Sequence, residues 1–115
     1  QGIFSNGVHP GEIITDLQRH MSDEDKLKFD LIDKDGNVNP RFKSVEQGAS
    51  TSIWAAVSEE LEGKGGMYFE DCGYSELRQN FEEALKTRNG HLSYLIDEQK
   101  ALELWNLSLE LVKNL

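Results

Sequence analysis

The chain has 115 residues and a formal net charge of −9 with histidine neutral. That length bounds it to one domain or part of one, and that charge sets it against phosphate backbones, excluding nucleic acid as a partner. No apolar run is long enough to span a bilayer, and the single cysteine, Cys72, forms neither an internal disulfide nor a thiolate-based zinc site, which points to a reducing, cytoplasmic setting.

The first residues carry neither the charged nor the apolar segment of a signal peptide. Gln1, standing where an initiator Met is absent, reads as a processed end, a cut or the start of a fragment. Ile3 to Val8 is short, partly β-branched and halted by Pro10-Gly11, so it reads as a strand. Ser22, with Asp25 three residues on, opens a helix expected to reach Ile32. Asp33 to Arg41, "DKDGNVNPR", is a loop by composition. Ser44-Val45-Glu46-Gln47 has the capping-box pattern and starts the clearest helix. Val45, Ala49, Ile53 and Val57 recur along it every four residues with Trp54 beside them, and its small residues, including Gly48 and Ala55, allow close packing on a sheet. "EGKGG" is a turn, and Met67 to Cys72 follows as a second strand with Cys72 buried and inert at its end. Tyr74 to Gly90 is polar, with a helix expected from Glu76 to Lys86. Asp97 caps a last helix whose stripe is Ala101, Trp105, Leu109 and Val112, and both tryptophans read as core.

Two strands joined by a long helical crossover are most simply parallel, with a right-handed connection. Parallel sheets are buried on both faces, and two strands with so little chain cannot achieve this alone. The order therefore reads as one edge of a larger α/β sheet.

Several motifs fail on their own geometry. Counted from Asp33, the loop places acidic or amide residues at positions 1, 3 and 5 of a calcium loop, but its glycine falls at position 4 and Ser44 stands where a bidentate Glu is required. His9, His20 and His91 lack metal-ligand spacing, and no metal site is expected. Gly63, Gly65 and Gly66 precede a strand instead of following one, so they are not a dinucleotide fingerprint. Asn106-Leu107-Ser108 is a glycosylation sequon in letters only, since it lies inside a predicted helix.

Asn6, then Val8-His9-Pro10-Gly11, then Ile13 and Thr15, resembles the segment after the sixth strand of the short-chain dehydrogenases/reductases. The His before Pro-Gly is similar to the retinol-dehydrogenase-like branch. "SVEQGASTSIWAAVSEELEGKGGMYFEDC" resembles that family's next helix, Gly-rich turn and seventh strand, and "YLIDEQKALELWNLSLELV" resembles its C-terminal helix. The likeness covers nearly the whole chain and is weak only from about Tyr74 to His91.

The resemblance implies the C-terminal edge of a doubly wound Rossmann-type sheet, with its last two parallel strands and flanking helices. Residues 1–16 would be a strand and a cofactor turn, 17–43 a mobile substrate lid, 44–73 the crossover helix and last strand, and 74–115 a C-terminal extension with its helix. It implies NAD or NADP as cofactor of the whole enzyme. Pro10, Gly11, Ile13 and Thr15 would form the nicotinamide-side turn, with the Ile13 backbone on the carboxamide and the Thr15 hydroxyl on the carboxamide or pyrophosphate. Leu17, His20 and Met21 would line the substrate entrance. A plainer reading makes Thr15 a helix N-cap and His20 a solvated loop residue.

The family's Tyr-x-x-x-Lys pair has no match here. Tyr74-Ser75-Glu76-Leu77-Arg78 ends in Arg and follows the second strand, so no catalytic residue is assigned. The function expected is the nicotinamide-side wall and lid of an oxidoreductase acting on an alcohol/carbonyl pair of a lipophilic, retinol- or steroid-like molecule. The alternative is a short non-catalytic interaction module. Either way the first strand has an edge to cover, by self-association or by a preceding N-terminal part.

Overall fold

The computed structural model describes residues 2–113; the reading of Gln1 lies outside the described residues. Its elements in chain order are β1 (Gly7–His9), α1 (Asp23–Lys28), α2 (Val45–Val57), β2 (Tyr68–Glu70), β3 (Gly73–Tyr74), α3 (Phe81–Thr87) and α4 (Glu98–Val112). Single turns of 3₁₀ helix lie at Asp16–Gln18, Glu59–Leu61 and Ser93–Ile96.

The sheet has the order β1-β2-β3. β1 and β2 are parallel, with Gly7 opposite Tyr68, Val8 opposite Phe69 and His9 opposite Glu70. The connection between them carries α2, as the strand-helix-strand pattern requires. β1 is shorter than the Ile3–Val8 segment predicted and is displaced toward the Pro-Gly turn. The Asn6 side chain explains the displacement: its Oδ1 accepts from the Met67 N–H at 3.0 Å and its Nδ2 donates to the Lys64 carbonyl at 3.2 Å. The Asn6 side chain thus takes Met67 N–H between two backbone bonds, Gly66 N–H to the Ser5 carbonyl and Gly7 N–H to the Met67 carbonyl, both at 2.8 Å.

β3 is a correction to the two-strand reading, because the sheet is mixed. β2 turns back through Asp71 and Cys72, both left-handed at φ 50° and 56°, and β3 pairs antiparallel to it. Two consecutive left-handed residues make the hairpin turn that usually selects Asn-Gly, and "Asp-Cys" does not announce it. Cys72 is consequently exposed in a turn, not buried at a strand end.

The inward face of α2 is also corrected. Its buried residues are Gly48 and Thr51, with Ala55 half-buried, whereas Val45, Ile53 and Val57 are exposed. The reason is distance. A Cβ at Gly48 would lie 2.2 Å from the Ile13 Cδ1, so only a residue without a side chain lets the helix meet the turn that follows β1. The four-residue apolar row points outward instead.

Phe69, the middle residue of β2, has no exposed surface. The Trp54 ring stands edge-on to it at 5.2 Å and the Tyr74 ring at 5.3 Å. Thr51 is equally buried, and its Oγ1 accepts the Cys72 N–H at 3.2 Å. Leu61 and Leu31 complete the buried apolar set among the described residues.

The remaining helices depart from expectation in length or packing. Ser22 caps α1 as predicted, accepting from the Asp25 N–H, but the helix ends at Lys28. Asp30 turns left-handed at φ 58°, Leu31 N–H reaches the Lys26 carbonyl at 2.8 Å, and Asp30 N–H reaches Leu27. This is a Schellman termination that buries Leu31. α3 begins five residues later than predicted, because the Asn80 side chain caps it by accepting from Glu83 N–H. Asp97 caps α4 as predicted. That helix lies away from the sheet with Leu102, Leu104, Trp105 and Leu111 exposed, so Trp105 is not core. The radius of gyration, 17.9 Å, exceeds the roughly 13 Å of a compact domain of this length.

Thr51→Val keeps the shape of a buried side chain and removes the acceptor for Cys72 N–H. It should cost about 0.5–1.5 kcal/mol, the net worth of one such hydrogen bond. Denaturant melts should show the loss, and amide exchange at Cys72 should quicken more than in α2.

A second expectation concerns the 33–41 loop. The Asp33 carboxyl accepts from the Asn37 side chain and from the Asn37 and Asp35 N–H groups, and these bonds hold its pKa below the usual value. A depressed pKa stabilises the loop above the unfolded carboxylate range, near pH 3.9. That contribution disappears as pH falls through the lower folded value. Chemical shifts of the Asn37 amides should therefore stay constant from neutral pH to about 4 and change below it, and Asp33→Asn should abolish that acid step.

Candidate functional site

β1 and β2 run parallel and end at His9 and Glu70. Their carboxyl ends open onto a cavity of about 210 Å³ lined by His9, Gly11, Glu12, Arg41, Lys43, Glu70, Asp71, Arg88 and Asn89. Open α/β sheets bind ligands at this end of their strands.

Pro10 ends the ladder, since it has no N–H to give. Gly11 follows at φ 93°, a conformation costly for any residue with a Cβ. A Cβ there would also meet the Lys43 stem at 2.8 Å. Lys43 lies across the glycine and pairs with Asp71 of the hairpin turn. The chain then bridges from Ile13 to Lys43 in parallel, with Lys43 N–H on the Glu12 carbonyl at 2.9 Å. That bridge uses Glu12's carbonyl, and among the described residues no hydrogen bond takes the Ile13 N–H. The Ile13 side chain rests on Gly48.

Thr15 is the N-cap of the Asp16–Gln18 turn and part of a capping box with Gln18. Its hydroxyl oxygen accepts from Leu17 N–H at 3.2 Å, and its own N–H donates to the Gln18 Oε1 at 2.9 Å. Accepting leaves the hydroxyl proton available for a second partner. Leu17 is exposed, His20 is exposed and Met21 is half-buried. The four turn residues Pro10, Gly11, Ile13 and Thr15 thus form one continuous ledge beyond β1, and Leu17, His20 and Met21 continue from it toward α1.

The turn's charged neighbours are missed by reading residues singly. Glu12 accepts from the Arg41 Nε at 3.0 Å and from the Arg88 Nη1 at 3.0 and 3.2 Å. Arg41 also pairs with Asp30 and donates to the Phe29 carbonyl. These partners lie 29 and 76 residues from Glu12, beyond any local pattern.

On the other side of the cavity, the Glu70 Oε1 accepts from the Ser75 hydroxyl at 3.0 Å and from Gly90 N–H at 2.7 Å. The His91 Nδ1 lies 3.0 Å from the same Ser75 Oγ. Ser75 has one proton and gives it to the carboxylate, so His91 must donate through Nδ1. Burial, with the Glu70 charge second, raises the pKa of Tyr68, which stays protonated at neutral pH.

Among the described residues no helix is long and apolar enough to cross a membrane, and no group of three His, Cys, Asp or Glu side chains is placed to hold a metal.

The chain is similar to proteins named as oxidoreductases. One from Streptomyces lividans is 39% identical over 106 residues, which are 90% of this chain and 35% of the relative. One from Streptomyces antibioticus is 37% identical over 114 residues, 97% of this chain and 37% of the relative. A short-chain dehydrogenase/reductase of Penicillium roqueforti is 33% identical over 112 residues, 97% of this chain and 31% of the relative. The chain therefore spans about a third of the length of the curated relatives it matches. No protein-family model matches it, and no solved structure matches it.

Gly11→Ala should destabilise by about 1–3 kcal/mol through its positive φ, with a further loss from displacing Lys43. Lys43→Ala alone removes a partly exposed ion pair and should cost under about 1 kcal/mol. The double variant should cost less than the sum, because the missing stem relieves the contact. Denaturant midpoints of all three provide the check.

Proposed function

We propose that the chain is the C-terminal part of a short-chain dehydrogenase/reductase of the retinol-dehydrogenase-like branch. The whole protein would be an NAD- or NADP-dependent oxidoreductase, interconverting an alcohol and a carbonyl on a lipophilic small molecule in the cytoplasm. The observation that carries the reading is the parallel β1–β2 pair, joined through α2, with the Pro-Gly turn at its carboxyl end. Identity of 32–39% along nearly the whole chain to oxidoreductases and short-chain dehydrogenases supports it.

The turn residues suit a nicotinamide. The Ile13 N–H is a donor without a hydrogen bond among the described residues, the kind of group a carboxamide oxygen takes. The Thr15 hydroxyl caps with its lone pair and keeps its proton. The bound dinucleotide would supply the hydride chemistry. Pro10 and Gly11 would shape the wall against its ring, and Leu17, His20 and Met21 would line the substrate entrance under a lid formed by residues 17–43. The Tyr and Lys that handle the proton in such enzymes would come from the remaining two-thirds, which would also pair with β1's free edge.

Thr15→Asp separates the cap from the cofactor contact in the full-length protein. Aspartate caps as well as threonine or better, so the thermal midpoint should hold. The hydroxyl donor is lost, which should weaken dinucleotide binding by roughly 2- to 150-fold, the span of about 0.5–3 kcal/mol per hydrogen bond. Calorimetric Kd and midpoint on one sample decide the matter, and an unchanged Kd would remove Thr15 from the cofactor site.

A further inference from the structure

We infer that Glu12 is a positioning residue that fixes the Pro10–Thr15 turn from two sides and, through Arg88, ties the C-terminal segment to it; this rests on the cofactor-turn reading above. Glu12 sits between Gly11, whose conformation makes the turn, and Ile13, whose backbone would meet the nicotinamide. One carboxylate holds two guanidinium groups, and each belongs to a different segment.

Arg41 ends the loop before α2 and is itself immobilised. Its Nε goes to Glu12, its other nitrogens to Asp30 and the Phe29 carbonyl, and its guanidinium carbon stands 4.5 Å from the Phe42 ring centroid. Arg88 is the left-handed C-cap of α3, at φ 55°. Its Nη1 alone makes both contacts, to the Glu12 Oε1 and Oε2. The segment behind it is anchored to the sheet, since Gly90 N–H donates to Glu70 and His91 bridges to Leu77. The backbone supplies a third tie, Lys43 N–H on the Glu12 carbonyl. The turn is therefore clamped to the lid segment and to the C-terminal segment through one residue. Coupling of this kind is reciprocal: what orders the turn must order the segment carrying Arg88.

The test uses the full-length protein, NADH and NADPH, and the variants Glu12→Gln, Arg88→Gln, Arg88→Lys and the Glu12→Gln/Arg88→Gln double. The dinucleotide KM should rise about fivefold in each Gln variant, the scale of a partly exposed ion-pair network, with kcat at saturating dinucleotide unchanged. The double variant should be little worse than Glu12→Gln, since that substitution already removes the Arg88 contact along with the Arg41 one. Arg88→Lys should stay near wild type, because a single ammonium can replace one Nη1. In hydrogen exchange, dinucleotide should slow residues 10–15 and 84–91 in the wild type, and only 10–15 in Arg88→Gln. Slowing at 10–15 with unaltered KM in the Gln variants, or with losses that add in the double, overturns the inference and leaves the cofactor turn standing. A lowered thermal midpoint and kcat with no KM change assigns Glu12 to stability alone and also overturns it. No slowing at 10–15 with either dinucleotide overturns the cofactor-turn reading and this inference together.

Discussion

The structure depends on how closely α2 can approach the β1–β2 pair. Parallel strands cannot be joined by a tight turn, so the crossover element must itself be pressed onto the sheet to hold them in register. Here Gly48 lets the helix meet the turn beyond β1, and Thr51 secures it at the sheet, its side chain fully buried and its hydroxyl taking the Cys72 N–H. Phe69 fills the space beneath, wedged by the edges of Trp54 and Tyr74. The same contact therefore fixes the parallel pair, the hairpin that follows it and the direction in which both strand ends open.

The same constraint explains what is left uncovered. Parallel sheets ordinarily bury both faces. Among the described residues β1 has a free edge, α2 turns Val45, Ile53 and Val57 outward, and α4 stands off with its leucines exposed. The chain spans about a third of the length of the curated relatives it matches. β2's outer edge is different: β3 covers it, so growth of the sheet is possible only beyond β1 or past a two-residue strand.

At the strand ends, the charges largely cancel one another. Lys43 meets Asp71, and Glu12 meets Arg41 and Arg88. Such a surface has little net attraction for a bare anion. Its specific features are the shape of the turn and its backbone groups. The charges act on the protein itself, tying a turn that has few other restraints to the segments on either side.

Local chemistry was legible in the residues. Ser22, Ser44 and Asp97 announce their helices because a cap bonds to N–H groups only two or three residues away. Pro10-Gly11 announces its turn because one residue lacks a donor and the other tolerates a positive φ. The parallel pairing followed from the length of the connection. The inward face of α2 was not legible, because four-residue periodicity identifies an apolar row without saying whether the neighbour needs apolar area or small size. The β2–β3 hairpin was hidden because its left-handed turn is held by Thr51 and Lys43, more than twenty residues away, and not by its own Asp and Cys. Glu12 was passed over between the residues on either side of it for the same reason: its partners lie 29 and 76 positions distant. By itself the sequence determined the caps of α1, α2 and α4, the Pro-Gly turn and the order of the elements other than β3, which depend on neighbours in the chain. The tertiary structure decided which helix face is buried, where the sheet ends and what the turn is tied to, since those depend on groups that meet only when distant segments pack.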